Sequence, residues 1–365
     1  MTIVLPKKVE QHLPQRILVT DAGGCIGAQA VKLLLAKGYR VVAAERPGVE
    51  IPEGPPAQME IRLGNLADAE YATGLASGVD AILHIAAISD NRRPDGEIAQ
   101  VNHAATIALY NAARVAGTQK FIYFSSGLLY LIKTRAAHET DHLAAVSSCG
   151  FSRILAEEFL LSRQGDGPAV NVLRTGLVYG PCRATFSSLL AIVPELLRKF
   201  PRYVPQLTGG PRVNPVHATD AARAAIHLLE TDQPHGEIFN IAGAETIASS
   251  DIITYVLVET GLRVLPMPIP VTMLDWIMPM VSCAEIIAVA DRAVGSIWWA
   301  VKRCCRTDRQ RYSPIDPELA EILSTGLVLD VSKLLGTGFQ FNHERVAPAW
   351  RDIYHWFEQQ GWLLR

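Results

Sequence analysis

The sequence predicts an α/β protein whose core is a doubly wound parallel sheet. Two patterns carry that prediction. A strand, a glycine-rich turn, a helix and a second strand follow one another within residues 16–47, and the same β-then-α rhythm returns around strand-like runs at 81–85, 121–124 and 170–173. Composition is the third observation: 49% of the 365 residues are apolar, 19% are charged and the formal charge is −2. A chain of this kind buries a large core and has no need of a disulfide or metal staple.

Ile17, Leu18, Val19 and Thr20 make a short apolar run of the sort that is buried on both faces of a sheet. After a turn of small residues, Ala30, Val31, Leu34 and Leu35 recur at helical spacing over 28–37, Gly38 ends the helix, and 41–44 is the next strand. Two strands joined through a helix in this way lie parallel in one sheet. Helical patterns at 104–116 and 151–161 separate the later strands. Beyond Tyr179 the rhythm loosens, and prolines at 181, 194, 201, 205, 211, 215, 266, 268 and 270 cut the chain into short pieces. The division expected is a first unit over 14–180, with sheet strands continuing to about 242, and a smaller region over 181–365 packed over the sheet edge and closed by a C-terminal helix.

The near-neutral charge argues against nucleic acid as a partner. Charges occupy the N-terminal stretch where a secretion signal needs its apolar centre, and Asp275, Pro279 and Glu285 interrupt the most apolar segment, 271–290. The six cysteines, at 25, 149, 182, 283, 304 and 305, show no framework spacing and no C-x-x-C, so they are expected to be reduced thiols in a cytoplasmic protein. No histidine–carboxylate spacing suggests a metal site, and no G-x-S-x-G elbow suggests a serine hydrolase.

The turn Thr20-Asp21-Ala22-Gly23-Gly24-Cys25-Ile26-Gly27 brings backbone N–H groups to a helix N-terminus, where they and the helix dipole favour a pyrophosphate. Glu45 ends the second strand, near where an acidic residue takes ribose hydroxyls. With these residues the chain resembles the extended short-chain dehydrogenase/reductase family, whose turn is T-G-x-x-G-x-x-G. Gly24 and Gly27 match its last two glycines, and Asp21 stands at the first. Further landmarks follow in order along nearly the whole chain: Gly64-Asn65-Leu66, Gly78-Val79-Asp80-Ala81 leading to His84-Ile85-Ala86-Ala87, Val101-Asn102, Phe124-Ser125-Ser126, Leu173-Arg174-Thr175 with Tyr179-Gly180-Pro181, Val216-His217-Ala218-Thr219-Asp220, and Asp330-Val331-Ser332-Lys333.

The resemblance implies a Rossmann-type fold. It also implies NAD or NADP held by the turn residues Asp21, Gly24, Cys25, Ile26 and Gly27, by Glu45, Arg46, Asn65, Leu66, Ala86, Ala87 and Asn102, and by Arg153. Glu45 leans the reading toward NAD, because a carboxylate repels a 2′-phosphate; Arg46 beside it is the group that would hold one. Asp21 tolerates the left-handed backbone the turn needs, but its charge weakens binding. Two unit charges ~5 Å apart at an effective dielectric of ~20 repel by roughly 3 kcal/mol, about a hundredfold in affinity.

The family's chemistry needs a serine, a tyrosine and a lysine, the last two in Y-x-x-S-K-x-x-A-E on one helix face. Ser126 fits the serine position. Cys149-Gly150-Phe151-Ser152-Arg153-Ile154-Leu155-Ala156-Glu157 carries the rest of the signature, with Cys149 for the tyrosine and Arg153 for the lysine. A cysteine side chain ends several ångströms short of a phenol, and an arginine cannot relay a proton. Cys149 is read first as a small buried residue. Tyr130, His138 and His142 are the other acid–base candidates near this cleft, the two histidines flanking Glu139 and Asp141 in one loop.

Between 273 and 306 an apolar helical stripe (Ile286, Ile287, Ala290, Ala293, Val294, Ile297, Trp298 and Val301) runs into a basic end. Such a segment is read as a lid over an apolar substrate or as a homodimer contact, ahead of contact with a membrane surface. Three functions remain open. The first is an NAD(P)-dependent oxidoreductase for an apolar hydroxy or keto substrate (sterol, lipid or polyketide-like) with an altered proton donor. The second is a lyase, isomerase or cyclase on the same fold, and the third a non-catalytic cofactor- or ligand-binding regulator.

Overall fold

The run at 17–20 is strand β1 (Arg16–Thr20), and its side chains alternate between two buried layers: Ile17 and Val19 pack with Val31 and Leu34, while Leu18 packs with Val42 and Ile82. The structure, a computed structural model, describes residues 15–131, 134–163, 165–182, 203–232, 234–259, 261–270, 322 and 325–360. Helix α1 (Cys25–Ala36) follows β1, and Gly38, at φ 88°, supplies the left-handed turn into β2 (Arg40–Glu45). Then come β3 (Met59–Leu63), α2 (Ala69–Gly74), β4 (Ala81–His84) and α3 (Asp95–Ala99), which passes through one π-helical turn, Gln100–Ala104, into α4 (Ala105–Ala116). Gly117 ends α4 in the left-handed conformation, with its N–H on Arg114. Strand β5 (Lys120–Ser126), α5 (Ser148–Leu161), β6 (Ala169–Thr175) and the short β7 (Val178–Tyr179) complete the first part. Helix α5 starts ahead of the expected 151 because the Ser147 hydroxyl caps it, accepting from the Gly150 N–H.

Seven parallel strands form the main sheet in the order β11-β6-β5-β4-β1-β2-β3, with β11 spanning Glu237–Ile241. Strand β1 pairs with β2 on one side and β4 on the other, so the chain reverses its direction of travel across the sheet at β1. In open α/β sheets, ligands bind outside the carboxyl ends of the strands at this point. Among the described residues the last strand of this sheet ends at Ile241.

The later elements are β8 (Tyr203–Thr208), β9 (Arg212–Val213), β10 (Val216–His217), α6 (Ala218–Glu230), β12 (Ile247–Ala248), α7 (Ser249–Glu259), β13 (Arg263–Pro270), α8 (Ser332–Gly336) and α9 (Val346–Gln359). Helix α6 lies against α1 on one face of the sheet, its Ala221, Ala225 and Ile226 sharing a core with Val31 and Leu34. A second core, built on Trp350, Ile353 and Phe357 of α9 with Ile252 and Val256 of α7, closes over Tyr130 and Tyr179.

The expectation of six reduced cysteines is corrected: Cys25 and Cys182 form a disulfide across 157 positions of sequence. Spacing along the chain does not reveal a pair that only the crossing from β6 back to α1 brings together. Cys149 is a buried thiol, and cysteines 283, 304 and 305 lie outside the described residues, as does the stretch 273–306. No helix among the described residues is long and apolar enough to cross a membrane.

Candidate cofactor and active site

Thr20 ends β1 with a hydroxyl that accepts from the N–H groups of Ile85 and Ala86, at 2.9 and 3.0 Å, and meets His84 Nδ1 at 3.0 Å. It thereby fixes the loop after β4 beside the turn after β1. His84 is wholly buried between Thr20 and Thr106, and burial lowers its pKa to about 4, so it is neutral.

Asp21 begins the turn at φ 54°, the one non-glycine residue with positive φ among those described. Its C=O accepts from the Gly24 N–H at 2.9 Å. A Cβ placed on Gly24 would lie 1.8 Å from Asp21 Oδ2, and one on Gly27 would lie 1.9 Å from the Asp21 carbonyl oxygen. Glycine is thus required at Gly27, where helix and turn touch backbone to backbone, while at Gly24 a side chain would have to displace the Asp21 carboxyl. No side chain caps the N-terminus of α1. Burial raises the Asp21 pKa to about 7, repulsion from Glu45 adds to the shift, and Arg46 opposes it.

Glu45 is buried, with one carboxylate oxygen accepting from the Gly23 N–H at 3.1 Å and the other from the Arg46 N–H at 2.8 Å. It braces the glycine turn, while the Arg46 side chain is 63% exposed at the rim. A cavity of about 440 Å³ opens here. Of the expected cofactor residues, Asp21, Glu45, Arg46, Asn65, Leu66, Ala86 and Ala87 line it. Its volume falls within the range of small-molecule sites, and the uncapped N-terminus and glycine turn beside it fit a dinucleotide. Gly24, Cys25, Ile26 and Gly27 belong to the adjoining turn rather than to the cavity wall.

Residues that sequence reasoning missed also line this cavity, among them Tyr71, Ser89, Asp90 and Arg93. Tyr71 packs its ring on Gly64 and donates its hydroxyl to the Arg62 carbonyl at 2.8 Å. The signal for Ser89 and Asp90 was their place one residue beyond Ala86-Ala87, after Ile88. Asn102, in the π-helical turn, works from behind. Its amide accepts from the Ile88 N–H at 2.7 Å and donates to the Ile88 carbonyl at 2.9 Å and to Ser152 Oγ at 3.1 Å, tying the β4 loop to α5.

From α5, the buried Arg153 donates through Nη2 to Ser89 Oγ at 2.8 Å. Arg153 also lines a pocket of about 20 Å³ together with Ser126, Ser147 and Gly150. The Ser126 hydroxyl accepts from the Leu128 N–H at 3.2 Å. One guanidinium therefore joins the larger cavity to the end of β5. Cys149 is wholly buried, with its N–H donated to Asn91 Oδ1 at 3.0 Å.

The other three acid–base candidates sit elsewhere. Tyr130 is buried; its hydroxyl donates to Asn240 Oδ1 at 2.7 Å and accepts from Arg174 Nη1 at 3.0 Å, and burial raises its pKa to about 12. Arg174 in turn pairs with Glu157 at 2.7 Å, both side chains buried. His138 is half exposed, 3.9 Å from Asp330, and His142 is exposed. Neither histidine lines the cavity at Asp21 or the pocket at Ser126.

A family model for the NAD dependent epimerase/dehydratase family matches residues 17–242. The chain belongs to this family. The dTDP-4-dehydro-6-deoxy-D-allose reductase of Streptomyces bikiniensis is 30% identical over 269 residues, covering 67% of this chain and 81% of the relative. A 3 beta-hydroxysteroid dehydrogenase/Delta 5-->4-isomerase of Mycobacterium tuberculosis is 28% identical over 286 residues, covering 72% of this chain and 74% of the relative. Among solved structures, MoeE5 in complex with UDP-glucuronic acid and NAD superposes with a TM-score of 0.68 at 20% identity, covering 94% of this chain and 99% of that one. The fold is that of the extended short-chain dehydrogenases/reductases, as the motifs implied.

Proposed function

We propose that the protein is an NAD-dependent oxidoreductase of the extended short-chain type, acting on an apolar hydroxy or keto substrate with an altered proton donor. The observation that carries this is the continuity of the site: Arg153 reaches Ser89 of the dinucleotide-sized cavity and borders the pocket beside Ser126. Membership of the family and the activities named for the relatives, a sugar reductase and a steroid dehydrogenase, support the reaction class. Solved structures that superpose well are complexes with NAD, which supports that dinucleotide, and the buried Glu45 carboxylate favours it over NADP.

When bound, the nicotinamide supplies or accepts the hydride. Arg153 would hold the adjoining ribose as a charged donor, and Ser126 would direct its hydroxyl at the substrate oxygen. Cys149 is buried and shorter than a phenol, so the proton must travel by another route. The pocket beside Ser126, at about 20 Å³, has room for one water between Ser126 and Arg153. In this reading that water takes the part of the phenol. A cytoplasmic location and a division near residue 180 belong to the same proposal.

The buried Cys149 also favours a second reading, a non-redox enzyme or a ligand-binding regulator on the same fold. NADH fluorescence titration separates the readings first, since no binding at millimolar NADH removes the oxidoreductase. The double substitution Cys149→Tyr with Arg153→Lys, assayed on a panel of hydroxysteroids and hydroxy-lipids, then tests the donor. Raised hydride transfer supports the oxidoreductase, and turnover without cofactor selects the non-redox enzyme.

A further inference from the structure

The disulfide stands at the head of α1, beside the glycine turn that borders the large cavity. Cys25 is the first residue of α1, directly after Gly24, and Cys182 follows β7 by three positions, with the two Cα atoms 5.0 Å apart. In the sheet order β6-β5-β4-β1, strand β6 lies three places from β1. The chain leaving β6 pairs through β7 with β10 and sets Gly180 against Ala218 at the head of α6, the helix packed beside α1, before Cys182 is bonded to the head of α1. A dinucleotide reaching from Glu45 and Asn65 to Arg153 and Ser126 would pass the head of α1. On the β1 side the 440 Å³ cavity is lined by Thr20 and Asp21, and neither half-cystine contributes to it.

We propose that Cys25 and Cys182 form a thiol–disulfide exchange site that tunes dinucleotide affinity through the head of α1, weaker when oxidised and tighter when reduced. The inference rests on the dinucleotide-binding reading above. Several features of the pair suit it to exchange. Cys25 is half-buried and open to a small reagent, whereas Cys182 is buried. A cysteine at a helix N-terminus has its thiolate stabilised, which speeds both its departure from a disulfide and its attack on one. The crossing segment is held short by a tight turn, with the Cys182 N–H donated to the Gly180 carbonyl at 2.8 Å around Pro181. Cytosolic disulfides are typically transient and regulatory, and one at a cofactor turn is well placed for that use.

The reductant is a small or protein-borne dithiol. One of its thiolates attacks Cys25 Sγ, the bond to Cys182 breaks, and Cys182 leaves as a thiolate that takes up a proton. The second thiol of the reagent then attacks the mixed disulfide and releases Cys25 as a thiolate, which is protonated. The protein disulfide is reduced by two electrons to two thiols, and the dithiol is oxidised to a disulfide. A low-molecular-weight disulfide runs the sequence in reverse.

The test uses the full chain, oxidised with glutathione disulfide or reduced with dithiothreitol, with peptide mapping under non-reducing conditions and NADH fluorescence titration of each form. The expected result is a linked peptide containing residues 25 and 182 in the oxidised form only, and NADH binding about tenfold tighter after reduction, within the usual range of coupling between sites. Cys182→Ser in dithiothreitol is expected to bind NADH as the reduced protein does, and with glutathione disulfide to give no linked peptide. Should that variant not fold, the two forms of the unaltered chain decide alone. Absence of the linked peptide, or equal NADH affinity in the two forms, overturns the switch and leaves the oxidoreductase reading intact. Absence of NADH binding in every form overturns both.

Discussion

Asp21 makes dinucleotide affinity depend on pH, and its replacement by glycine removes that dependence. Its carboxyl lies against Gly24 in the turn, with a pKa raised to about 7 by burial and then by Glu45, against the pull of Arg46. Below that value the group is neutral and can donate a hydrogen bond to a phosphate oxygen. Above it, a carboxylate faces the pyrophosphate. With the protonated form as the binding form, the apparent Kd scales with the inverse of its population: about twofold above the limiting value at pH 7, about tenfold at pH 8 and ~100-fold at pH 9. Repulsion sets a ceiling of similar size, since roughly 3 kcal/mol at an effective dielectric of ~20 is about a hundredfold. The curve therefore flattens near pH 9. The assay is NADH fluorescence titration at pH 6, 7, 8 and 9 and constant ionic strength, on the reduced protein. Asp21→Gly loses the charge and relieves the left-handed strain, so its Kd stays level across the range and no weaker than that of the unaltered protein at pH 6. A Kd that does not change with pH in the unaltered protein, or a slope that persists in Asp21→Gly, refutes the reasoning.

Glu45→Gln removes the second-largest cause of the Asp21 shift, so the midpoint of the same pH curve moves to lower pH. Glu157→Ala leaves the Arg174 guanidinium buried without its 2.7 Å partner, and urea denaturation is expected to show a loss of about 3–5 kcal/mol. Asp220 has its own acid limit. Burial would raise its pKa, but hydrogen bonds from His343, the Asn342 and His343 N–H groups and Arg223 outweigh burial and hold it at about 2. That stability is present above about pH 4 and is lost as pH falls through the folded value, for a total of about 2 kcal/mol. The difference in urea midpoint between the unaltered protein and Asp220→Asn is accordingly expected to shrink between pH 5 and pH 2.5.

Much of the fold was legible because strands and helices of this kind are encoded by neighbours a few residues apart. The alternation of Ile17, Leu18 and Val19, the helical spacing of Val31 and Leu34, and the stop at Gly38 all have their observed counterparts in β1, α1 and the turn that follows. The glycine turn was equally plain, as was the anomaly of Asp21 at its head, since a left-handed position in a tight turn is a local requirement.

Contacts between distant segments were a different matter. Tyr130 was a reasonable acid–base candidate by position, yet Asn240 and Arg174, 110 and 44 residues away, occupy its hydroxyl. Glu45 lines the cavity as its position suggested, but that its two oxygens also accept from the backbone N–H groups of Gly23 and Arg46 is visible only in the fold. Nothing along the chain joins Arg153 to Ser89, or Cys25 to Cys182 across 157 positions. By itself the sequence determined the order of elements, the glycine turn and the presence of Cys149 and Arg153 on one helix, each a matter of local periodicity or register. The tertiary structure alone decided which side chains close the site and that Cys25 and Cys182 are paired, because those contacts exist only once the strand order has brought β6, β5, β4 and β1 into one sheet.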